Sequence, residues 1–425
     1  MKATVRFDPL EAPSAGQTPP LDEHALFDGP SFFDKPSFFD KIAEQALDPM
    51  LTLLVQLRAD PRPDTIDLGI GVYRDEDGRT PVLACVKAAE DHLVRHQSSK
   101  AYLSADGDPA FLQRLAPIVL GAHAADPRIA GIQTPGGTGA LRLAAALTAR
   151  VNPNARVWLG QPTWAQHTAL MQAGGLATVD YPFFDRATQT ILFDDMMRAL
   201  DGAMAGDVVL LHGCCHNPTG AELTPEQWRA VTALVQRKGL LPLIDIAYQG
   251  LGHGFDEDAA GLRAMLDAVP EAIVCVSCSK NFGLYRDRIG AIWVKAANAD
   301  TARRARNGLM VAARTLWSMP PDHGAAVVRT VLESAELTTL WRSEVETMRL
   351  RLHDVHQRLA AALPVIAGVA QQTGMFALLP LPAGAGAVLR AEHGIYLMDN
   401  GRINIAGLSD ATLPRFADAV RPYLT

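Results

Sequence analysis

Apolar and polar residues follow two alternating periods along the chain from about residue 81 onwards. Residues 81–97, 108–120 and 137–150 have the spacing of helices. The strand candidates are the apolar runs 156–160, 208–213, 241–247, 272–277 and 289–294. Uninterrupted apolar runs are typical of central parallel strands that are covered on both faces. The strand–helix–strand order therefore predicts an α/β fold with a mostly parallel central sheet and helices on both faces.

Two further helices have clear sequence signals. Thr224-Pro225-Glu226-Gln227 combines an N-cap, a proline at the first helical position and a capping-box partner, and Gly239 predicts the end of that helix. A long helix is predicted at about 335–362, and a smaller C-terminal unit follows it.

The start of the chain shows no such pattern. Its first 30 residues are rich in proline, alanine and acidic residues and are predicted not to pack. The hexapeptide Pro-Ser-Phe-Phe-Asp-Lys then occurs twice, at 30–35 and 36–41. Two copies are too few for a solenoid. We interpret the repeat as a duplication within a disordered leader and arm over residues 1–41; an arm that docks through its phenylalanines is the alternative.

Charge and composition narrow the function classes. The 425 residues include 39 basic and 46 acidic ones, so the formal net charge is −7. Such a chain lacks the basic face of proteins that bind nucleic acid or anionic membranes, and we expect neither partner. Residues 359–389 carry no charge, but prolines and glycines interrupt them, which indicates buried strands and turns and not a membrane span. Five cysteines and an opening without a secretory signal predict reduced thiols and a cytoplasmic location.

Ligands of open α/β sheets bind beyond the carboxyl ends of the strands, so polar segments at these ends are candidates for the site. The first is the loop 134–140, Thr-Pro-Gly-Gly-Thr-Gly-Ala, at a predicted helix start. Glycines let a ligand approach the backbone, and unpaired N–H groups at a helix start bind anions. The loop is neither a Walker A motif nor a complete dinucleotide fingerprint. By itself it fits either a phosphate cup or a tight turn.

The second segment, His212 to Gly220, contains two histidines and two cysteines, which suggests zinc. We disfavour a metal because Cys214 and Cys215 are adjacent, so that their side chains would point apart, and because the usual two-residue ligand spacing is missing. Cys275 and Cys278 have a two-residue spacing, but they lie in and just after a strand, where small buried residues are favoured over a redox pair.

The third and fourth segments supply a buried acid and a desolvated amine. Asp245 lies inside an apolar run that ends at Tyr248, and it fits either a buried structural network or a partner for a protonated ring nitrogen. Lys280 follows another apolar strand, and burial would make its amine neutral and nucleophilic. With a phosphate anchor, these groups are what pyridoxal phosphate (PLP) chemistry requires.

With these motifs in this order, the sequence resembles the class I PLP-dependent aminotransferases of fold type I, in their aspartate/aromatic amino acid aminotransferase subgroup. The matching segments are 68–73, 137–138, 216–220, 245–250, 279–285, Arg314 with 320–321, and 401–404. The resemblance covers about residues 42–425. It implies a large PLP-binding domain over 81–346 and a smaller α+β domain built from 42–80 and 347–425.

The resemblance also implies the roles of individual residues. Lys280 resembles the Schiff-base lysine that also moves the substrate proton, and with Asp245 at the pyridine nitrogen and Tyr248 it forms the expected catalytic set. The other cofactor-binding residues expected are Gly137, Thr138, Trp164, Asn217, Ser277, Ser279, Arg288 and the partner subunit's Tyr102, with His167 behind Asp245. No metal is expected.

For the substrate, the resemblance implies contacts from Gly71, Trp164, Asn217, Arg314 and Arg402. Arg402 would bind the α-carboxylate in a bidentate way. Arg314, from the neighbouring subunit, would bind the side-chain carboxylate of aspartate or glutamate. Because both subunits contribute to each site, an obligate homodimer is expected.

The surroundings of Arg314 indicate the substrate class. At the positions that correspond to 316–319, strict aspartate enzymes tend to have Asn-Tyr-Ser-Asn, whereas this chain has Leu-Trp-Ser-Met. Ala101 stands where those enzymes often have Asn. A more apolar surround would let Arg314 move aside for an aromatic ring. We therefore predict transamination of Phe, Tyr and aspartate, with Trp as a further candidate donor and 2-oxoglutarate as the amino acceptor.

Two alternatives stay open at this point. One is a strict aspartate aminotransferase, in which Leu316 and Met319 only pack a core. The other, from a different class, is a ligand-sensing regulator without catalysis, although the 40 or so leading residues are too short for a DNA-binding domain.

Overall fold

The computed structural model describes residues 38–44 and 48–424. The chain divides into two compact units between Leu47 and Asp48, and each is described by itself. In the first, Phe38–Lys41 form a short 3₁₀ helix, and the Phe38 and Phe39 rings meet edge-to-face with 5.3 Å between centroids. The predictions for residues 1–37, including the first copy of the repeat, lie outside the described residues.

The second unit contains thirteen α-helices and thirteen strands among its described residues. The helices are α1 (Pro49–Ala59), α2 (Ala84–His96), α3 (Pro109–Leu120), α4 (Gly136–Val151), α5 (Gln166–Ala173), α6 (Phe193–Leu200), α7 (Pro225–Lys238), α8 (Ala260–Ala268), α9 (Ala299–Leu316), α10 (His323–Glu333), α11 (Ala335–Ala362), α12 (Ala385–His393) and α13 (Leu413–Val420). The strands are β1 (Ile66–Asp67), β2 (Ile129–Pro135), β3 (Arg156–Gln161), β4 (Ala177–Pro182), β5 (Phe184–Asp185), β6 (Thr190–Ile191), β7 (Val208–His212), β8 (Leu241–Ile246), β9 (Ala272–Ser277), β10 (Ile289–Lys295), β11 (Phe376–Leu378), β12 (Ile395–Tyr396) and β13 (Arg402–Asn404).

Seven strands form the central sheet, in the order β2–β10–β9–β8–β7–β3–β4. Along β7, Val208 and Leu210 belong to one apolar cluster, whereas Val209 and Leu211 belong to the other. Helices α4, α5 and α9 cover the first face, and α2, α3, α7, α8, α10 and α11 contribute to the cluster on the second. This confirms the α/β fold with helices on both faces of the sheet.

Strand β10 differs from the expectation of a parallel strand, because it runs antiparallel to both of its neighbours, β9 and β2. The other neighbouring pairs in the sheet are parallel. The reason is the short connection from Ser277 to Ile289, which holds no helix to return the chain to the opposite edge. All five predicted strands are present, but the sequence pattern missed β2 and β4, whose polar residues and glycine interrupt the apolar run.

The predicted helix ends are confirmed at α7. Thr224 Oγ1 accepts from the Gln227 N–H at 3.2 Å, while the Gln227 side chain accepts from the Thr224 N–H at 2.9 Å. Gly239 ends the helix with φ of +64°, a conformation that favours glycine. The long helix α11 spans Ala335–Ala362 as predicted.

Outside the central sheet, strands from distant parts of the chain pair with each other. Strand β1 pairs in parallel with β12, and β11 pairs with β13 antiparallel. The uncharged run at 359–389 forms the end of α11, a 3₁₀ helix, β11 and the start of α12. Among the described residues, no helix combines the length and the apolar character that a membrane crossing needs. The proposed domain boundaries stay predictions.

The register of the sheet aligns the predicted polar segments. His212 on β7 is opposite Asp245 on β8, and Asp245 is opposite Cys275 on β9. Because β10 starts where β9 and β2 end, Ile289 lies opposite Pro135, directly before α4. The carboxyl-terminal edge therefore places the start of α4, the end of β9 and the residues before β10 side by side.

Candidate active site

A cup of small and cationic groups forms at the start of α4. A Cβ on Gly137 would lie 3.2 Å from the Cβ of Ser277, and one on Gly136 would lie 2.7 Å from Nη2 of Arg288. Arg288 Nη1 donates to Ser279 Oγ at 3.2 Å, and the Ser279 N–H donates to Ser277 Oγ at 3.2 Å. The first N–H groups of a helix have no partners within that helix. With the arginine and two hydroxyls, they form a site that suits a phosphate group.

Asp245 lies at the same edge of the sheet, and among the described residues only one of its two carboxylate oxygens has a hydrogen-bond partner. His167, on α5, places Nε2 3.2 Å from Oδ2 of Asp245, and its Nδ1 is 2.7 Å from Thr163 Oγ1. A carboxylate only accepts, so Nε2 carries a proton and donates to Asp245. The other oxygen of Asp245, Oδ1, is buried and has no hydrogen-bond partner in the part of the chain that the structure describes. It is available to a cationic or N–H group of a ligand.

Asn217 and Tyr248 form a second polar pair. Nδ2 of Asn217 donates to the hydroxyl oxygen of Tyr248 at 3.2 Å, and both side chains are buried. Oδ1 of Asn217 has no hydrogen-bond partner among residues 38–44 and 48–424. Burial raises the pKa of Tyr248 above its usual value, so the phenol stays protonated and able to donate a hydrogen bond.

Lys280 follows β9, and its amine lies over two tyrosine rings. Nζ is 5.8 Å from the centroid of Tyr248 and 5.4 Å from that of Tyr285. Burial, and after it the positive charge of Arg288, lowers the pKa of Lys280 from 10.5 to about 8. A substantial fraction of the amine is therefore neutral near physiological pH, which is the form that acts as nucleophile and base.

Arg402 supplies a buried guanidinium. Nη2 donates to the carbonyl oxygen of Gly69 at 2.7 Å, and the guanidinium lies 4.8 Å from the ring centroid of Phe376. Its Nε is buried and has no hydrogen-bond partner among the described residues, and burial lowers the pKa of the guanidinium. Gly71 lies beside the same ring, because a Cβ there would come within 3.0 Å of Phe376. The site can take up a carboxylate, which would satisfy the free N–H.

Three predicted site residues do not take part in the contacts described above. Tyr102 is 93% exposed, and Thr138 is exposed at the start of α4. Arg314 is exposed at the end of α9, where Nη1 donates to Ser318 Oγ at 2.6 Å. Trp164, in contrast, meets the His167 ring edge-to-face with 5.3 Å between centroids.

Two groups that support the site were not among the predicted residues. The Tyr285 hydroxyl accepts the Tyr73 N–H at 2.8 Å, and Asn404 Nδ2 donates to the carbonyl oxygens of Ile70 and Val72 at 2.6 and 2.7 Å. These hydrogen bonds of Tyr285 and Asn404 hold the backbone on either side of Gly71. Both lie in motifs quoted for the resemblance, which could have identified them, whereas the sequence around Phe376 contains no comparable signal.

The four cysteines considered in the sequence analysis form two pairs, and only one pair has the geometry that was expected. Cys275 and Cys278 are buried, and burial raises the pKa of both thiols, as expected for structural residues. The argument that Cys214 and Cys215 point apart was wrong: their sulfur atoms and a carboxylate oxygen of Asp258 all lie within 4.8 Å of one another. Cys215 has a left-handed backbone conformation, with φ of +48°, which is uncommon for a residue other than glycine.

The donor set fits the predicted cofactor. PLP carries a phosphate, a protonated ring nitrogen, a ring oxygen and an aldehyde. The cup at α4 suits the phosphate, the free Oδ1 of Asp245 suits the ring N–H, and Asn217 with Tyr248 suits the ring oxygen. Lys280 provides an amine that is neutral in part.

Comparison with known proteins agrees with this geometry. The family described as "Aminotransferase class I and II" matches residues 63–420. The tyrosine aminotransferase of Rhizobium meliloti is 52% identical over 380 residues, which cover 88% of this chain and 97% of the relative. The aspartate aminotransferase of Escherichia coli is 42% identical over 382 residues, covering 88% and 96%.

Solved structures show the same similarity. The aromatic-amino-acid aminotransferase from Burkholderia pseudomallei, covalently bound to pyridoxal phosphate, superposes with a TM-score of 0.88 at 37% identity and covers 92% of this chain and 100% of that one. The fold and the site thus define a fold type I transaminase. The chain belongs to the class I and II aminotransferase family, in its aspartate/aromatic subgroup.

The lowered pKa of Lys280 predicts how cofactor uptake depends on pH. The reactive form is the neutral amine, so the uptake rate of the PLP-free protein should rise about tenfold per pH unit below the pKa and level off above about pH 8. Stopped-flow absorbance in the visible range, recorded across this pH interval, measures the rate. A midpoint near 10.5, the ordinary lysine value, would contradict the desolvated environment.

Proposed function

We propose that this protein is a PLP-dependent aminotransferase that moves the amino group of aromatic amino acids, chiefly Phe and Tyr, and of aspartate to 2-oxoglutarate. The products are the corresponding 2-oxo acid and glutamate. The observation that carries the proposal is a set of three buried groups that interact electrostatically: the Lys280 amine with its pKa of about 8, Asp245 with its free Oδ1, and Arg402 with its free Nε.

Each residue has a separate task in this proposal. When bound, PLP supplies an electron sink that weakens the Cα–H bond of the amino acid. Lys280 Nζ accepts the Cα proton and later returns it, and Asp245, held by His167, keeps a positive charge on the ring nitrogen. Arg402 orients the substrate through its α-carboxylate.

The substrate range is supported by the surroundings of Arg314 and by the relatives. Leu316, two residues after the arginine, is 42% exposed. Among the described residues, the side chain of Arg314 donates one hydrogen bond, to Ser318, four residues further along the chain. An arginine held by a single local contact can move without breaking a network. Similar proteins include tyrosine, aromatic-amino-acid and aspartate aminotransferases.

A homodimer with shared active sites is part of the proposal. Tyr102 and Arg314 are exposed in the single chain, and neither contacts the Lys280 site in the part of the chain that the structure describes. In a dimer, these two side chains would contribute to the active site of the second copy of the chain. A cytoplasmic location also belongs to the proposal, supported by five unpaired cysteines.

A kinetic panel with a charge-deleting variant tests the proposal. The wild-type protein should convert Phe, Tyr and Asp with 2-oxoglutarate. Arg314→Leu should lower kcat/KM for Asp by about 10²–10³-fold and leave kcat/KM for Phe nearly unchanged. Asp is the donor of this panel that has a second carboxylate, and kcat/KM for a donor does not depend on the half-reaction with 2-oxoglutarate. Arg303→Ala, which removes an exposed arginine from the same helix, serves as the control.

The same panel separates the alternatives. Wild-type activity with Asp but with neither Phe nor Tyr would identify a strict aspartate aminotransferase. Binding of amino acids without turnover of any donor would support the non-catalytic regulator.

A further inference from the structure

One buried glutamine joins the two exposed segments that carry Tyr102 and Arg314. We call residues 98–105 the tyrosine segment and residues 314–320 the arginine segment. Most side chains in both segments are exposed, and Tyr102 itself is 93% exposed. Groups that act on a bound ligand need support from well-packed neighbours to keep their positions. The contacts that hold the two segments relative to each other therefore bear on the reaction.

The glutamine is Gln133, which lies on β2 and has no exposed surface. Its Oε1 accepts the Asp108 N–H at 2.8 Å, and its Nε2 donates to the carbonyl oxygen of Pro321 at 2.7 Å. An N–H only donates and a carbonyl only accepts, so these two contacts fix the orientation of the amide. The side chain thus bridges a point just after the tyrosine segment and a point just after the arginine segment.

The turn at 106–108, which follows the tyrosine segment, is held from two directions. The Asp106 carbonyl oxygen accepts the backbone N–H of Gln133 at 2.9 Å, and the Asp106 carboxylate pairs with Arg306 on α9. Gly107 has φ of +79°, and a Cβ there would lie 2.5 Å from the Gln133 Cβ, so glycine is needed for this close approach. Strand β2 and helix α9, which runs into the arginine segment, fix the turn together.

A second contact holds the other end of the tyrosine segment. Gln97, directly before it, donates through Nε2 to Oδ2 of Asp322 at 3.1 Å. Asp322 is adjacent to Pro321, whose carbonyl oxygen accepts from Gln133. Both ends of the tyrosine segment are therefore connected to two consecutive residues that follow the arginine segment.

We propose that Gln133, with Gln97 as the second connection, is a positioning residue that sets Tyr102 and Arg314 relative to each other. This proposal rests on the proposed function, in which both side chains reach the active site of a second copy of the chain. Gln133 acts on the backbone of the two segments and not on the substrate. Its effect on the reaction is nevertheless measurable, because a displacement of about 1 Å can cost a factor of about 10² in rate.

Replacement of Gln133 by methionine tests the proposal, since it removes both side-chain hydrogen bonds and keeps the length of the side chain. At saturating PLP, we expect kcat/KM for Asp to fall by about tenfold and kcat/KM for Phe by less than about twofold, because Arg314 binds the side chain of Asp. The dissociation constant of PLP should rise by about fivefold, since Tyr102 is displaced as well. Absorbance titration of the PLP-free protein measures this constant without any turnover.

Double mutants separate positioning from a loss of stability. In the Arg314→Leu background, Gln133→Met should cause no further loss with Asp, because the group that it positions is absent. In the Tyr102→Phe background, it should likewise leave the dissociation constant of PLP unchanged. The control is Gln189→Met, which removes another buried glutamine that donates to two backbone carbonyl oxygens, at 2.6 and 2.9 Å. It should lower the thermal midpoint without changing the ratio of kcat/KM for Asp to that for Phe.

Equal losses with both donors, an unchanged ratio, or full additivity with Arg314→Leu would overturn the proposal. If Gln133→Met does not fold, Gln97→Met decides, because Gln97 is only half-buried. Its ratio of kcat/KM for Asp to that for Phe should also fall, and an unchanged ratio refutes the positioning role. Failure of the proposed function is recognised separately, since Arg314→Leu would then by itself leave the ratio unchanged.

Discussion

Replacement of Lys280 by alanine is expected to lower kcat for transamination by about 10⁴-fold or more. The variant loses the amine whose pKa is lowered to about 8, and with it the group proposed to move the substrate proton. Among the described residues, no other lysine is placed over the Tyr248 ring. Initial rates with Phe and 2-oxoglutarate measure the effect.

The control for this substitution is Lys87→Ala, which removes an exposed lysine that pairs with Glu90. It should keep wild-type rates. PLP should still bind to Lys280→Ala through the phosphate cup, but its visible spectrum should differ from that of the wild type. Retention of more than about one hundredth of the wild-type kcat would argue against a proton-transfer role for Lys280.

Replacement of Arg402 by leucine is expected to lower kcat/KM by about 10²–10³-fold for aromatic and acidic donors alike. Every amino acid substrate carries an α-carboxylate, and Arg402 is a buried arginine whose Nε has no hydrogen-bond partner among the described residues. Arg402→Lys restores the charge but not the planar pair of donors, so it should recover only part of the loss. Steady-state kinetics with Phe and Asp measure both variants.

The pattern across donors distinguishes the two arginines. The Arg402 variants should affect Phe and Asp equally, whereas Arg314→Leu should affect Asp alone. Arg421→Leu, which removes an exposed arginine paired with Asp418, is the matched control. A loss confined to one donor in Arg402→Leu would show that the guanidinium does not bind the group that all substrates share.

Much of the fold could be predicted because its signals are local. The capping box at Thr224, the stop at Gly239 and the long helix Ala335–Ala362 follow from residues within a few positions of each helix end. The buried strands β8 and β9 could be recognised because both of their faces are covered, which requires an unbroken apolar run. Edge strand β4 is largely exposed, so its sequence carries no such requirement.

The candidate site could be predicted in part for the same reason. Lys280, Asp245 and the glycines of the cup each follow a strand end, and the sheet aligns strand ends at one edge. Phe376 packs under Arg402 and meets the Tyr248 ring 5.9 Å away, but it comes from a segment more than 120 residues later than Tyr248. Local periodicity holds no information about such a contact.

The sequence by itself therefore determined the α/β class, five of the thirteen α-helices, five of the seven strands of the central sheet and the family, and it supplied the candidate residues for the chemistry. Only the tertiary structure decided the antiparallel direction of β10, the partners that leave Asp245 Oδ1 and Arg402 Nε free, and the convergence of Cys214 and Cys215 with Asp258. The physical reason is the range of the interactions. Caps, periodicity and strand burial act over a few residues, whereas strand direction, unsatisfied polar atoms and thiol geometry depend on how distant segments and the local backbone pack together.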